Sequence, residues 1–404
     1  MLLPVLAAIV QWPSSAKAGD LPLGSSRLDE RRTVVQVAPG VTWTRIVREG
    51  GPWRVHVLTI DRGALAGRLT GVLSNRRILG RERPSAMANR TRAVAGVNGG
   101  FFAADGDPVG ALAIRRRLLS EPVDGRSALL LPIDPSRRPR VARLSFAGAV
   151  VSGGRERIVD GVERLRGSIP ACGGRGGDVP TERPNAALTC TDSSELVALS
   201  SRYAASTRTR GGVEAVIRAG AVSAVERGGD AAIPRGGLVL SGSGDAARFM
   251  GAAMSPGSRP QVRLALHAGR REVTVDRQEL VVQGGPRLLV RGRTAVAARA
   301  EGFAPLEAPS FFGSFVASRN PRTLAGVRRD GRLLVVTVDG RRPGWSVGVT
   351  LPEAARVMRA LGAQDALNLD GGGSTTMTVR GEVVNLPSDP AGERPVSNGV
   401  FVLP

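Results

Sequence analysis

The chain contains few of the residues on which common catalytic and metal sites depend. Its 404 residues include two histidines, two cysteines, one tyrosine and one lysine. A Ser–His–Asp triad requires a histidine, but His56 and His267 both lie in alternating apolar patterns that predict β-strands and structural roles. Neither histidine belongs to a metal-ligand pattern, and two cysteines without neighbouring histidines make a poor metal site. The composition therefore argues against a histidine triad and against a zinc centre.

The scarcity of lysine and of aromatic residues argues against two further classes of protein. Lys17 is the only lysine, so no glycine-rich stretch carries the lysine of a Walker nucleotide-binding loop. Gly242 and Gly244 in "LSGSGDAARF" are interpreted as a structural turn before a helix. The arginines are scattered and only one tyrosine is present, which predicts no specific nucleic-acid binding. Beyond the N-terminus, no apolar run approaches the length of a transmembrane helix.

Positive charge is what the sequence has in excess. Lys and Arg number 56 against 35 Asp and Glu, which gives a formal net charge of +21. A genome rich in GC explains why arginine replaces lysine, but it does not explain the excess of bases over acids. A field of this sign favours anionic partners such as phosphate polymers or an acidic membrane or wall surface.

The N-terminus has the pattern of a secretory signal. "MLLPVLAAIV" is a short apolar run, and Ala16-Lys17-Ala18 fits a small-x-small cleavage site. Residues 1–18 are therefore predicted to be a signal peptide, although a basic n-region is missing and a buried N-terminal segment is the alternative.

Cys172 and Cys190 lie in the loop 167–190, which is rich in Gly and Pro. In a secreted protein these two cysteines are expected to form a disulfide; two free buried thiols are the alternative.

The remaining sequence predicts one domain of mixed α and β structure. Residues 19–50 resemble an N-terminal extension, and residues 51–404 form the expected domain. The 42% hydrophobic content is sufficient for a sizeable core. We expect an α/β (α+β) fold, with a mixed β-sheet core and flanking helices in a single catalytic domain.

The last eighty residues contain a strand, a helix and a second strand. "RLLVVTVDG" predicts a strand ending at Asp339, and "DALNLD" predicts a second strand ending at Asp370. Between them, Thr350 and Glu353 have the spacing of a helix capping box. If the two strands are parallel, Asp339 and Asp370 share one sheet edge, where ligands collect in open α/β sheets.

Three glycines, Gly371, Gly372 and Gly373, follow Asp370 directly. They allow the backbone to turn sharply and to present N–H groups close to a ligand. Asn98, followed by Gly99 and Gly100, repeats this arrangement. The residues alone leave two interpretations open: Asp339 and Asp370 could act as an acid/base or nucleophile pair, or they could be turn-capping aspartates.

Six motifs in the order "GVNGGFF", "QGGPRLLV", "NPRT", "VDGR", "LNLDGGGSTTM" and "ERPVSNGVFV" resemble the phosphodiester glycosidase family. The resemblance runs from about residue 90 to the C-terminus and is concentrated at about 90–125 and 275–404. The Cys-bearing loop resembles versions from secreted actinobacterial proteins.

The resemblance implies hydrolysis of a sugar-1-phosphodiester between the anomeric carbon and the phosphate oxygen. It implies catalytic acids at Asp370 and Asp339, with Glu393 as a third candidate. Arginines would neutralise the phosphate. The implied substrate-binding residues are Asn98, Gly99, Arg322, Thr323, Arg341, Asn368, Gly371, Gly372, Gly373, Ser374, Thr375 and Arg394.

The expected substrate is a sugar phosphate or an anionic polysaccharide, such as a teichoic-acid-like wall polymer. The protein is expected to be secreted and to act outside the cell or at the cell wall. No cofactor is predicted, and a calcium or magnesium ion at the aspartates is left open. Two other functions also fit: a non-catalytic protein that binds polyanions or the cell wall, and a phosphodiesterase that cuts the phosphorus–oxygen bond.

Overall fold

Short alternating apolar segments make this chain predominantly β-structure. The computed structural model describes residues 20–24, 29–49, 51–172, 177–181, 189–303 and 309–404. The predicted signal peptide, residues 1–18, lies outside the described residues. Strands account for 44% of the residues and helices for 14%, in several sheets of a single domain. These proportions confirm the expected α+β class.

The strands, in chain order, are β1 Glu30–Ala38, β2 Val41–Arg48, β3 Trp53–Ile60, β4 Arg68–Leu73, β5 Ala95–Asn98, β6 Leu112–Ile114, β7 Arg117–Ser120, β8 Ser127–Pro132, β9 Arg140–Arg143, β10 Ser145–Ser152, β11 Arg155–Ile158, β12 Gly161–Val162, β13 Ile169–Pro170, β14 Val179–Pro180, β15 Thr189–Thr191, β16 Leu196–Ser200, β17 Val213–Arg218, β18 Ala221–Arg227, β19 Leu238–Gly242, β20 Gln261–Ala268, β21 Arg271–Val273, β22 Gln278–Gln283, β23 Arg287–Val290, β24 Arg293–Thr294, β25 Arg322–Arg328, β26 Leu333–Val338, β27 Ala363–Asn368, β28 Met377–Val379, β29 Glu382–Val383 and β30 Asn398–Leu403. The α-helices are α1 Pro84–Thr91, α2 Gly244–Ala253, α3 Pro309–Phe312 and α4 Leu351–Ala360.

The largest sheet has eight strands in the order β1-β2-β3-β26-β25-β27-β23-β24. Its neighbouring strands are antiparallel, and β25 pairs with β26 on one side and with β27 on the other. Strands β26 and β27 therefore run in the same direction, separated by one antiparallel strand. The carboxyl ends of these two strands consequently meet at one edge of the sheet, as the sequence predicted.

Helix α4 connects β26 to β27 across one face of this sheet. The Thr350 hydroxyl accepts a hydrogen bond from the Glu353 N–H, and the Glu353 carboxylate accepts one from the Thr350 N–H, which completes the predicted capping box. The buried face of the helix packs on Leu324, Leu334 and Val336 of the sheet. Gly362, with φ of +87°, ends the helix in the left-handed region.

The opposite face of the large sheet packs on two five-stranded sheets. One has the order β29-β28-β5-β30-β4 and the other β7-β6-β22-β8-β9. Leu58, Val335 and Leu367 of the large sheet share this core with Val97 and Leu280. The chain is therefore layered, with helix α4 on one side of the eight-stranded sheet and β-structure on the other.

Residues 30–48, expected to be an extension, are strands β1 and β2 of the large sheet. Strand β2 pairs along its whole length with β3, so the expected division near residue 50 falls within a β-hairpin. Strand β1 lies at the edge, and most of its side chains are exposed. Edge strands carry charged residues that weaken the apolar alternation, so the sequence of β1 gives only a weak strand pattern.

Several local predictions are confirmed. Cys172 is disulfide-bonded to Cys190, as expected for this loop. His56 is buried in β3 and stacks on Trp43, and burial lowers the pKa of His56 to about 3. Among the described residues, none of the helices has the length and apolar character needed to cross a bilayer.

Candidate active site

The sheet edge formed by the ends of β26 and β27 brings together most of the predicted site. Asp339 follows β26 directly, Asp370 lies two residues beyond β27, and the start of β25 lies between them. Gly340 and Gly371 contact this start from either side. A Cβ atom on Gly340 would lie 2.7 Å from the Pro321 nitrogen, and one on Gly371 would lie 2.9 Å from the Pro321 carbonyl oxygen. Glycine is therefore required at both positions by close backbone packing.

Asn98 joins this edge to the neighbouring sheet. Its amide nitrogen donates to the carbonyl oxygen of Asp370 at 2.7 Å. Its amide oxygen accepts from the Thr323 hydroxyl at 2.7 Å and from the Thr376 N–H at 3.2 Å. The Asp370 N–H in turn donates to the Gly99 carbonyl at 3.1 Å. Asn98 and Thr323 are buried and bonded to each other, so in this structure they position the loop that carries Asp370.

Asn368 supports the same loop from the end of β27. Its side-chain nitrogen donates to the Gly285 carbonyl at 3.0 Å and to the Leu369 carbonyl at 2.6 Å. The Gly285 N–H donates back to the Asn368 carbonyl at 2.7 Å, next to the cis peptide bond between Gly285 and Pro286. Asn368 thus attaches the "QGGP" turn to the sheet edge. This contact places the motifs "QGGPRLLV" and "LNLDGGGSTTM" side by side.

Asp370 lies deep among protein atoms, yet part of its surface remains open to solvent. Its carboxylate accepts from the Gly371 N–H at 2.9 Å, and the Ser374 hydroxyl lies beside it without good hydrogen-bond geometry. Burial raises the pKa of Asp370 to about 6, although the Ser374 hydroxyl, the Gly371 N–H and the Arg394 charge act in the opposite direction. Asp370 therefore changes its charge within the physiological pH range.

Asp339 is fully buried and has a different environment. Its carboxylate accepts from Trp345 Nε1 at 2.9 Å, from Asn385 Nδ2 at 3.1 Å and from the Leu386 N–H at 3.1 Å. Burial raises the pKa of Asp339, while these donors act to lower it. With no exposed surface and three donors satisfied, Asp339 fixes the two loops that carry Trp345 and Asn385.

Glu393, the third candidate acid, contacts the start of helix α1. Its carboxylate accepts from the Ser85 N–H at 3.0 Å and from the Ser85 hydroxyl at 2.7 Å. The N-cap residue of this helix, Arg83, makes no side-chain capping bond. Glu393 thus supplies the capping acceptor from a distant part of the chain.

Two guanidinium groups flank the glycine loop that follows Asp370. Arg341 is exposed, donates to Asn320 Oδ1 at 2.8 Å and 3.1 Å, and lies against Gly372, where a Cβ atom would be 3.4 Å from its terminal nitrogens. No carboxylate partner of Arg341 is found in the described part of the chain. Arg394 makes a two-pronged ion pair with Asp389, at 2.7 Å and 2.9 Å. A Cβ atom on Gly373 would collide with this pair.

Arg322 has a buried environment that distinguishes it from the other two arginines. It donates to the carbonyl oxygens of Val349 at 3.1 Å, Phe315 at 2.5 Å and Ser318 at 3.2 Å. Its guanidinium lies 5.2 Å from the centre of the Phe315 ring. Burial, and then the charge of Arg341, lowers the pKa of Arg322 to about 9. The contacts of Arg322 hold the segment after helix α3 against the edge.

The hydroxyl residues after the glycines are buried. Ser374, Thr375 and Thr376 are each at most 1% exposed. The hydroxyl oxygens of Thr375 and Thr376 have no hydrogen-bond partner among the described residues. In this arrangement the loop presents its glycine backbone and the two flanking guanidiniums to solvent, rather than its hydroxyls.

The sequence did not reveal Trp345, Asn385 or Asp389 as parts of this constellation. Asn385 and Asp389 lie between the motifs "LNLDGGGSTTM" and "ERPVSNGVFV", where no recognisable pattern marks them. Trp345 is one of only four tryptophans, a rarity that could have drawn attention to it. In the described residues, no group of three or more His, Cys, Asp or Glu side chains is arranged to hold a metal ion.

The fold resembles two solved structures of bacterial proteins over most of its length. It matches a Burkholderia pseudomallei protein described as exported with a TM-score of 0.84, at 27% identity, over 96% of this chain and 98% of that one. It also matches a hypothetical protein from Synechocystis with a TM-score of 0.72, at 22% identity, over 92% of this chain and 63% of that one. The architecture is therefore shared by other proteins.

Residues 211–403 match the phosphodiester glycosidase family. A stretch of 78 residues is 37% identical to the mouse N-acetylglucosamine-1-phosphodiester alpha-N-acetylglucosaminidase, which is 19% of this chain and 15% of the length of the mouse protein. The chain thus matches only a small part of this curated relative. Together these findings support the resemblance recognised from the motifs and a hydrolase of the glycosidase type.

The two aspartates should respond differently to the same substitution. Asp339→Asn places an amide N–H against one of three donors in a buried site, so we expect it to reduce the free energy of unfolding by about 2 kcal/mol or more. Asp370→Asn removes a partly desolvated charge and should leave the melting temperature near the wild-type value at pH 7. Thermal unfolding of both variants measures this contrast. Equal destabilisation of the two variants would contradict the structural role assigned to Asp339.

Proposed function

We propose that this edge hydrolyses sugar-1-phosphodiesters at the anomeric carbon, with Asp370 as the catalytic carboxylate. The observation that carries the proposal is the position of Asp370, a partly open carboxylate with a pKa of about 6, beside a glycine loop flanked by the guanidiniums of Arg341 and Arg394. A phosphodiester substrate brings a negative charge next to a carbon that becomes positive. The edge offers a group of opposite charge for each: guanidiniums for the phosphate and the Asp370 carboxylate for the carbon.

The arginines would receive the phosphodiester. Arg341 is exposed and has donors left over after binding Asn320, and guanidinium groups bind phosphate oxygens through paired hydrogen bonds. The glycine backbone between the two arginines allows a phosphate to come close. A phosphodiester is a weakly basic leaving group, so neutralising its charge matters more than protonating it. Arg394 would act together with Asp389, which holds its guanidinium in place.

Asp370 would face the sugar. An oxocarbenium-like transition state is stabilised by a nearby anion, which can attack the anomeric carbon or take a proton from an attacking water. Of the three candidate acids, Asp339 is buried and Glu393 caps a helix, so Asp370 is best placed for this role. We assign Asp339, Asn98 and Asn368 to positioning: they hold the loops around the reacting groups and need not touch the substrate.

The proposed setting is outside the cytoplasm. The disulfide between Cys172 and Cys190 is typical of oxidising compartments, and the Burkholderia relative is described as exported. A formal charge of +21 favours anionic polymers such as wall phosphoglycans as the natural substrates. The same charge supports a second candidate, a protein that binds such polymers without cleaving them.

The activity should depend on pH through Asp370. Since burial raises its pKa to about 6, the carboxylate is protonated below that pH and ionised above it. We expect kcat/KM for release of reducing sugar from UDP-N-acetylglucosamine, or from a panel of simpler sugar-1-phosphodiesters, to rise between about pH 5 and pH 7 and then to level off. Asp370→Asn should abolish release at every pH. Activity that persists in this variant would refute the assignment, whereas polymer binding without turnover in either protein would favour the second candidate.

The phosphate-binding role is tested by Arg341→Gln. Loss of one charged contact to the phosphate should lower kcat/KM by roughly 10- to 100-fold, as expected for a hydrogen bond between charged groups. Arg332→Gln is the matched control: it removes the same charge just before β26, at the opposite end of that strand from the site. Steady-state kinetics of both variants measures the difference. An equal decrease in the two variants would indicate an effect of net charge alone.

A further inference from the structure

A cavity away from the proposed active site has arginine as its most frequent lining residue. Its volume is about 490 Å³, and it lies where the edge strand β4 faces the hairpin of β6 and β7. Six arginines line it: Arg68, Arg76, Arg90, Arg115, Arg117 and Arg202. It shares no residue with the edge that carries Asp370. Cavities of this volume are typical of small-molecule sites.

The positive charge of this cavity is poorly compensated. Arg90 forms an ion pair with Glu82 at 2.7 Å, but no ion pair is found for the other five arginines in the part of the chain that the structure describes. Burial lowers the pKa of Arg202, and the charges of Arg117 and Arg115 lower it further, while the nearby Glu163 opposes them. Arg115, Arg117 and Arg202 therefore lie close enough to repel one another.

A second arginine-rich surface shows that such crowding is not general in this protein. That surface has five arginines, Arg62, Arg137, Arg138, Arg329 and Arg332, but also two aspartates, Asp61 and Asp330. Arg332 lies 3.3 Å from Asp61 and 3.8 Å from Asp330. This surface is therefore partly compensated by its own acids, whereas no acidic residue is among the described residues that line the cavity.

The hairpin turn at the mouth of the cavity also has an unusual sequence. Arg115 and Arg116 form the two-residue turn between β6 and β7, with φ values of +48° and +71°. Turns of this kind favour Asn and Gly, because most side chains disfavour the left-handed region. Arg115 therefore adds a positive charge to the cavity at a backbone position that Asn or Gly would adopt more easily.

We infer that the cavity binds an anion with several phosphate groups, at a site distinct from the proposed active site. A cleft lined by charges of one sign focuses its field and concentrates ions of the opposite sign. Guanidinium groups match phosphate oxygens in geometry as well as in charge. Thr70 also lines the cavity, and its buried hydroxyl has no hydrogen-bond partner among the described residues. A chain of phosphates would offer each arginine an acceptor and relieve the repulsion among them.

The test measures binding of inorganic tripolyphosphate by titration calorimetry. The variant carries Arg115→Asn, Arg117→Thr and Arg202→Gln, and the first substitution suits the left-handed turn. The control carries Arg137→Gln, Arg329→Gln and Arg332→Gln, which changes the net charge equally on the compensated surface. We expect the variant to lose about tenfold or more in affinity, with a melting temperature no lower than that of the control, and the control to bind nearly as the wild type does.

Either of two results would overturn the inference. One is unchanged affinity in the cavity variant, and the other is an equal loss in the cavity variant and the control, which would mean that net charge alone governs binding. A poly(glycerol phosphate) oligomer, titrated in parallel, distinguishes a phosphodiester polymer from a free polyphosphate as the source of the phosphates. Because binding is measured directly, the outcome does not depend on hydrolytic activity.

Discussion

The arrangement of the candidate active site depends on the side chain of one buried asparagine, Asn98. Its amide contacts the Thr323 hydroxyl in β25, and the Asp370 carbonyl and the Thr376 N–H in the connection between β27 and β28. These contacts connect the end of β5 to the start of β25 and to the glycine loop. A buried amide with both ends satisfied in this way fixes one arrangement, since any other would leave polar groups unpaired in the core. The position of Asp370 follows from this constraint.

Burial divides the acids and bases of the edge into two kinds. Asp339 and Arg322 are among the most buried charged groups, and each is held by three hydrogen-bond partners from the surrounding loops. Asp370 and Arg341 retain open surface and unused hydrogen-bonding capacity. Under the proposed function, the buried groups position the loops and the open groups contact the substrate. Asp370 is then the available carboxylate among the three candidate acids, because Asp339 and Glu393 are already engaged.

Much of the architecture could be predicted from the sequence. The capping box at Thr350, the strands ending at Asp339 and Asp370, and the disulfide depend on local patterns, and local patterns are visible in one chain. The number of sheets and the strand character of residues 30–48 depend on which distant segments pair, and a weakly alternating edge strand gives little indication of its partner. Arg341 and Gly372, both expected to bind substrate, lie next to each other. The burial of Asp339 did not follow from the sequence, because its donors Trp345 and Asn385 come from loops without a recognisable motif.

The central claim is that the carbon–oxygen bond at the anomeric centre is the bond that breaks. It is tested most directly by hydrolysis of a sugar-1-phosphodiester in water enriched in oxygen-18, followed by mass spectrometry of both products. The account predicts that the heavy oxygen appears in the released sugar, since Asp370 directs attack to the anomeric carbon. Heavy oxygen in the phosphate product would contradict it and would identify the protein as a phosphodiesterase that attacks phosphorus.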